Sequence, residues 1–323
     1  MRKMNPFFSV IIPVYNSSKY INECIDTILC QKFWNYEVIF IDDGSTDDSV
    51  EIISKRFQGN SNYKLIEQKN KGVSAARNIG LNNAAGRYVM FMDSDDYWVK
   101  DILAQLNKIL ISNSNIDILF FNIFDDFSGI KKNHVVLPKF LGKKLSKNLA
   151  IESILSNRGY RGYGVNKVFK RSCIGNNRFD ESVTYLEDML FSISCVLDAN
   201  EFMGIDKCLY AYRWRSTSVV NTFGPSHMTF FDALDKVDNL IPDKFHDSIT
   251  VKRRFAYIDF ASRFIFKDKK QYKFFENKFR REKRIFRLNK FGLGKTELFP
   301  LALSNFSFTV SVLALNLIKK IKA

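Results

Sequence analysis

The sequence predicts an α/β fold with a mostly parallel central sheet flanked by helices, and three observations carry that prediction. Short Val- and Ile-rich runs alternate with helix-patterned segments between Phe8 and Asn122. The runs are apolar on both faces, as expected of parallel strands covered by helices on either side. Polar clusters follow directly on three of these runs, at the strand ends where open α/β sheets bind ligands.

Phe8–Val14 reads as the first buried strand. Ile21, Cys24, Ile25, Ile28 and Leu29 recur at i, i+3, i+4, i+7 and i+8, which is one face of a helix. YEVIFID (Tyr36–Asp42) is the second strand, and Asp47 or Asp48 can cap the helix that carries Val50, Ile53 and Phe57. YKLIEQ (Tyr63–Gln68) is a third strand, Ser74–Ala85 a helix and RYVMFMD (Arg87–Asp93) a fourth strand. Asp101–Ser112 is another helix and IDILFFN (Ile116–Asn122) a fifth strand. Beyond Gly129 the pattern loosens, and Ala150–Cys208 mixes helical segments with loops. From Pro225 onward the chain reads as helical, basic and aromatic, with a boundary near Thr222.

Nearly half of the 323 residues are hydrophobic, so a sizeable core is available. The formal net charge is +15, and its distribution matters more than its size. Val251–Lys290 holds 15 Lys and Arg against 4 Asp and Glu, so the excess is concentrated there. Five cysteines without a C-x-x-C argue for buried reduced thiols rather than a disulfide framework or zinc site. The N-terminal apolar run FFSVIIPV is short, contains Pro13 and lacks a small-residue cleavage site, so it reads as a strand and the expected compartment is the cytosol.

Three polar clusters are candidate chemistry. Asp93 and Asp95 in MDSDDYW would project together if the backbone there is extended. Two convergent carboxylates suit a hard cation such as Mg²⁺ or Mn²⁺, which takes one or two carboxylates along with substrate phosphates. An Asp-rich turn capping the next helix is the other reading. DDGSTD (Asp42–Asp47) is both a capped turn and a set of acceptors for a base or ribose. NKGVSAARNIG (Asn70–Gly80) places a glycine before a small-residue helix bearing Arg77, which reads equally as a nucleotide ligand or as the partner of a strand-end Asp. With no P-loop and no G-x-G-x-x-G, a bound phosphate would depend on a metal.

SVIIPVYN (Ser9–Asn16), IDDGSTDDS (Ile41–Ser49), NKGVSAARNIGL (Asn70–Leu81) and MDSDDYW (Met92–Trp98), in this order, resemble inverting bacterial family 2 glycosyltransferases of the GT-A fold. The resemblance continues through GVNKVFKR (Gly164–Arg171), YLEDMLF (Tyr185–Phe191) and YAYRWRSTS (Tyr210–Ser218). It implies a GT-A domain over residues 1–222, with a nucleotide half at about 1–125 and an acceptor half at about 126–222, followed by a helical basic region over 223–323.

The resemblance also implies roles. Pro13, Tyr15 and Asn16 would line the nucleotide pocket, Asp43 would meet the uracil ring and Gly72 would admit the nucleotide. Asp93 would face ribose and metal, and Asp95 would ligate the Mn²⁺ or Mg²⁺ bridging the diphosphate of a UDP-sugar. Asp188 would be the catalytic base and Glu187 a neighbour of the acceptor or donor sugar. Arg213, with Arg215 and Ser218, would meet the diphosphate. Processive relatives carry Q-x-x-R-W, whereas Tyr210 stands here where Gln would, which favours transfer of a single sugar.

FKDKKQYKFFENKFRREKRIFRLNK (Phe266–Lys290) interleaves cations with aromatics, and Leu298–Ile318 carries no charge. At about 1.5 Å per residue that stretch could span a bilayer, but interspersed Ser, Asn and Thr favour an amphipathic or tucked-in segment. NFSFTVSV within it alternates like a strand. Basic, aromatic, then apolar reads as peripheral attachment to the anionic inner face of the plasma membrane, where a glycan or lipid-linked acceptor for cell-envelope polysaccharide would be met. Nucleic acid is not an expected partner. A haloacid-dehalogenase-like phosphatase fails because Ile41 stands where its first Asp belongs. A non-catalytic nucleotide-sugar- or polyanion-binding module is the alternative, against which Asp95 and Asp188 weigh.

Overall fold

The computed structural model describes residues 5–214, 225–285, 288–291 and 293–322. The first half runs β1 (Phe8–Val14), α1 (Ile21–Leu29), β2 (Tyr36–Asp42), α2 (Ser49–Arg56), β3 (Tyr63–Glu67), α3 (Val73–Asn83), β4 (Tyr88–Phe91), β5 (Tyr97–Trp98) and α4 (Ile102–Ser112). Next come β6 (Ile118–Phe127), β7 (Ile130–Asn133), β8 (Lys143–Leu145), α5 (Lys147–Leu155), β9 (Lys167–Lys170), α6 (Arg171–Ile174), α7 (Glu187–Asp198) and β10 (Phe202–Arg213). The remainder is helical: α8 (Thr229–Leu240), α9 (His246–Phe264), α10 (Lys269–Arg281), α11 (Lys295–Ser304) and α12 (Phe308–Lys322).

The sheet has the order β3-β2-β1-β4-β9-β6-β10-β5, with β7 on β6 and β8 on β10. β3, β2, β1 and β4 pair in parallel, as do β6 and β10. Alternate side chains feed two cores. Ile11, Ile39, Ile41, Val89, Phe91 and Phe120 face one, and Val10, Ile12, Phe40, Met90, Leu119 and Phe121 the other. Both faces are therefore apolar because helices cover both.

Three differences from the sequence reading have physical causes. β9 is antiparallel and sits between β4 and β6, where the sequence suggested only helices and loops. Four residues, Lys-Val-Phe-Lys, are too few to show a period. The fourth strand ends at Phe91 rather than Asp93, so the acidic residues lie on a turn closed by Asp96 N–H donating to Asp93 O at 3.1 Å. The stretch NFSFTVSV is not a strand but leads into α12, where Phe308, Val312 and Leu315 are buried at helical spacing. Of the cysteines, Cys24, Cys173 and Cys195 are buried thiols as expected, while Cys30 is exposed and Cys208 half-buried.

Ala233, Leu234 and Val237 of α8 enter the same core as Phe91 and Phe120. Helices α9 to α12 share a third core built on Ile258, Phe275, Phe279, Phe308 and Val312. Among the described residues no helix is long and apolar enough to cross a membrane. Thr222 lies outside the described residues.

Candidate active site

The site begins where β1 and β4 part. Their pairing ends at Ile11 opposite Phe91, with a last bond from Met92 N–H to Ile11 O. Pro13 is two residues on, so its missing N–H faces the side that β4 has already left. A proline is therefore tolerated in this central strand. Pro13 itself is buried, whereas Tyr15 just beyond it is 52% exposed. Past this opening the chain makes the Asp93–Asp96 turn, held to the β1 side by a 2.7 Å bond between the Ser17 and Ser94 hydroxyls.

The DDGSTD turn clasps the neighbouring loops. Asp43 accepts from Gln68 Nε2 at 2.7 Å, Lys71 N–H at 2.7 Å and Gly72 N–H at 2.8 Å. Gly72 has φ +90°, a conformation that side chains disfavour, and opens α3. Asn16, with φ +48°, accepts from Thr46 N–H at 2.8 Å. Asp47, one residue before the N-cap Asp48, accepts from Ser49 N–H at the start of α2, while Asp48 itself makes no side-chain capping bond.

Helix α3 lies close on the sheet, because a Cβ at Gly80 would come within 2.3 Å of Ile11 Cγ2. That contact sets Arg77 beneath the carboxylates. Its guanidinium reaches Asp93 Oδ1 at 3.0 Å, Glu187 Oε1 at 2.9 Å and Asp188 Oδ1 at 2.7 Å, and the residue is 3% exposed. Both terminal nitrogens are engaged by carboxylates, the partner arrangement rather than the nucleotide-ligand one. Burial opposes the Arg77 charge, but Asp188, Asp93 and Glu187 more than offset it and hold it above its ordinary range.

Glu187 and Asp188 open α7, whose N-terminal dipole favours negative charge. Burial is the main influence on Glu187, with the Asp188 charge next. Together they outweigh Arg77 and push its carboxyl up to about 7. Asp188 is held at both oxygens, by Arg77 on Oδ1 and by Gly164 N–H on Oδ2 at 2.9 Å.

Asp96 has a different task from its neighbours. It is 1% exposed and accepts from the Tyr210 hydroxyl at 2.6 Å and from Arg213 N–H at 2.8 Å. Burial, then the Asp93 charge, raises its carboxyl well above the usual range. The Tyr210 hydroxyl also accepts from Asp93 N–H at 3.1 Å. Arg213 donates to Asp95 O at 2.9 Å and Glu23 Oε2 at 2.5 Å, between the rings of Tyr20 and Tyr97.

The fold thus brings Arg77, Asp93, Glu187 and Asp188 into one cluster, with Asp95 on the same turn as Asp93 and Arg213 bonded to the Asp95 carbonyl. Arg215 and Ser218 lie outside the described residues. Sequence reading missed Gly164 as the clamp on Asp188 and Tyr210 as the strut of the acidic turn. Tyr210 did carry a signal, as the departure from Q-x-x-R-W, but not its meaning. Among the described residues no group of three or more His, Cys, Asp or Glu is arranged to hold a metal. Asp93 and Asp95 remain two partly exposed carboxylates on one turn, which fits an ion completed by substrate oxygens.

The sequence model of Glycosyl transferase family 2 matches residues 9–169. Glycosyltransferase GlyG of Streptococcus pneumoniae is 30% identical over 231 residues, 68% of this chain and 74% of that protein. This chain belongs to glycosyl transferase family 2. Glycosyltransferase GlyA of the same organism is 32% identical over 216 residues, 65% of this chain but 31% of GlyA. The poly(ribitol-phosphate) beta-N-acetylglucosaminyltransferase TarS of Staphylococcus aureus is 30% identical over 211 residues, 64% of this chain and 35% of TarS. The chain thus spans about a third of the length of these two relatives. The crystal structure of TarS 1–349 in complex with UDP-GlcNAc superposes with a TM-score of 0.66 at 20% identity, over 97% of this chain and 90% of that one, which shows the shared GT-A-type fold. The family 2 match ends within β9, short of Glu187 and Asp188.

Proposed function

We propose that this chain transfers a single sugar from a UDP-sugar to an acceptor hydroxyl, with inversion, in cell-envelope polysaccharide synthesis. The observation that carries the proposal is Asp188, held at both oxygens beside the Asp93–Asp96 turn. The relatives support the substrate class, since TarS is named for transfer to poly(ribitol-phosphate) and is described with UDP-GlcNAc.

In this reading Tyr15 and the Asp43 turn receive the base and ribose. Asp188 accepts the proton of the acceptor hydroxyl as that oxygen bonds to the anomeric carbon and the bond to the diphosphate breaks. Attack opposite the leaving group inverts the centre, by the single-displacement logic of inverting glycosidases. Arg77 keeps Asp188 oriented, and Arg213 braces the turn that faces the diphosphate. Asp93 and Asp95 would hold Mn²⁺ or Mg²⁺, whose charge stabilises the departing diphosphate.

The helical region would attach the enzyme peripherally to the inner face of the plasma membrane, where a lipid-linked or glycan acceptor is met. Phe306, Val310, Leu313, Leu317 and Ile321 are all exposed at three- and four-residue spacing along α12 and its approach. With the basic α10 nearby, this is the composition of a membrane-surface helix.

A panel of UDP-sugars assayed for Mn²⁺-dependent UDP release tests the proposal. Release is expected with at least one sugar and should collapse in Asp95→Ala and Asp188→Asn. Turnover undiminished in both variants would sink it.

A further inference from the structure

Lys167 lies outside the site described so far, yet it is a fully buried cation at 0% exposure. Burying an ammonium is costly unless its donors are satisfied. Its Nζ donates to Arg161 O at 2.9 Å, to Asn166 Oδ1 at 3.0 Å and to Tyr163 O. All three acceptors belong to one loop, between α5 and β9. Asn166 ties the start of that loop by donating from Nδ2 to Tyr160 O at 2.6 Å.

The loop has two further properties. Arg161 sits at φ +59°, a strained conformation for a side chain with a Cβ. Gly162 and Gly164 let it press on α7, because a Cβ at Gly162 would come within 2.4 Å of Met189 Cβ, and one at Gly164 would lie 3.3 Å from Asp188 Oδ1. The product of this arrangement is the Gly164 N–H, aimed at Asp188 Oδ2 at 2.9 Å.

We infer that Lys167 is a positioning residue for Asp188: its ammonium gathers the 160–166 loop into the shape that presents the Gly164 N–H to the carboxylate. Lysine suits the task because a compact ammonium has three donors that can diverge to separate carbonyls, which a planar guanidinium cannot match. The ammonium is also within electrostatic reach of Asp188. Burial pulls its pKa down to about 7, and the Asp188 charge works in the opposite direction. A lysine needed only for the sheet would have no reason to direct all its bonds into the loop that holds the carboxylate.

The inference rests on Asp188 being the base, so Asp188→Asn is measured alongside. Lys167→Met keeps the apolar stem and removes the donors. In the folded variant kcat should fall by about 10- to 100-fold, the scale of a misplaced catalytic group, while KM for the UDP-sugar stays within about twofold. Lys167→Arg should not restore kcat. Unchanged kcat in Lys167→Met, or a parallel loss of donor affinity, overturns the inference. If Lys167→Met does not fold by thermal unfolding, Asn166→Ala loosens the same loop and must show the same split, or the inference is lost. Full activity in Asp188→Asn would instead remove the base assignment itself.

Discussion

Arg77 Nη1 lies 2.7 Å from Asp188 Oδ1 although 111 residues separate them in the chain. The bond ties α3, in the N-terminal part of the chain, to the first turn of α7. The same guanidinium also takes Asp93 and Glu187, so one buried cation compensates three carboxylates drawn from two parts of the chain.

Arg77→Met should therefore destabilise the protein strongly. Removing one partner of a buried ionic cluster leaves uncompensated charge, at about 3–5 kcal/mol. The expected readout is a lower midpoint of urea unfolding at unchanged slope. A shift worth less than about 1 kcal/mol, the level of an exposed ion pair, would mean the cluster does not act as a buried one.

Glu187 gives a pH signature of known sign. Its folded carboxyl is raised to about 7 from an ordinary value of 4.5, so the folded state binds the proton more tightly. Its contribution is fully present below the unfolded value and is lost as pH rises through about 7. Unfolding free energies of wild type and Glu187→Gln, compared from pH 4 to 8, should draw apart between these limits, the variant lacking the decline. Parallel curves would contradict the shift.

Tyr210→Phe removes one hydroxyl that serves both Asp96 Oδ2 and Asp93 N–H. Leaving buried polar partners unsatisfied costs about 1–3 kcal/mol. Because the loss falls on the acidic turn, Mn²⁺-dependent turnover should need more metal than in wild type. Equal stability and equal metal dependence would argue against Tyr210 as a strut.

Leu313 and Leu317 are exposed on α12, where replacement leaves the third core intact. The double change to Ser should weaken sedimentation with anionic vesicles by about tenfold or more, since each leucine buried in the interface contributes roughly 1.5–3 kcal/mol. Binding of wild type should also fall with salt. Equal binding by both proteins would exclude this face as the contact.

Much of the fold up to α4 was legible because strand and helix periods are local. β1 to β4 and their helices are each encoded in fewer than a dozen residues, and the motif order marked which strand ends matter. Asp43, Gly72, Arg77, Asp93, Asp95, Glu187, Asp188 and Arg213 could be singled out in the sequence as candidates, but the contacts they make could not be read there. Asp93 and Asp95 were expected on extended backbone, whereas they lie on a turn, because β4 ends at Phe91.

The sequence by itself determined the α/β class, the acidic residues at the strand ends and the basic character of the helical region, since each is written in neighbouring residues. Only the tertiary structure decided which carboxylates Arg77 meets, that Asp96 is buried while Asp93 and Asp95 are partly exposed, and which groups Tyr210, Gly164 and Lys167 bond. The physical reason is that these contacts are set by burial and, for Arg77, Tyr210 and Gly164, by partners as many as 117 residues away. No local pattern records whether a charge will be desolvated or which distant carboxylate will meet it.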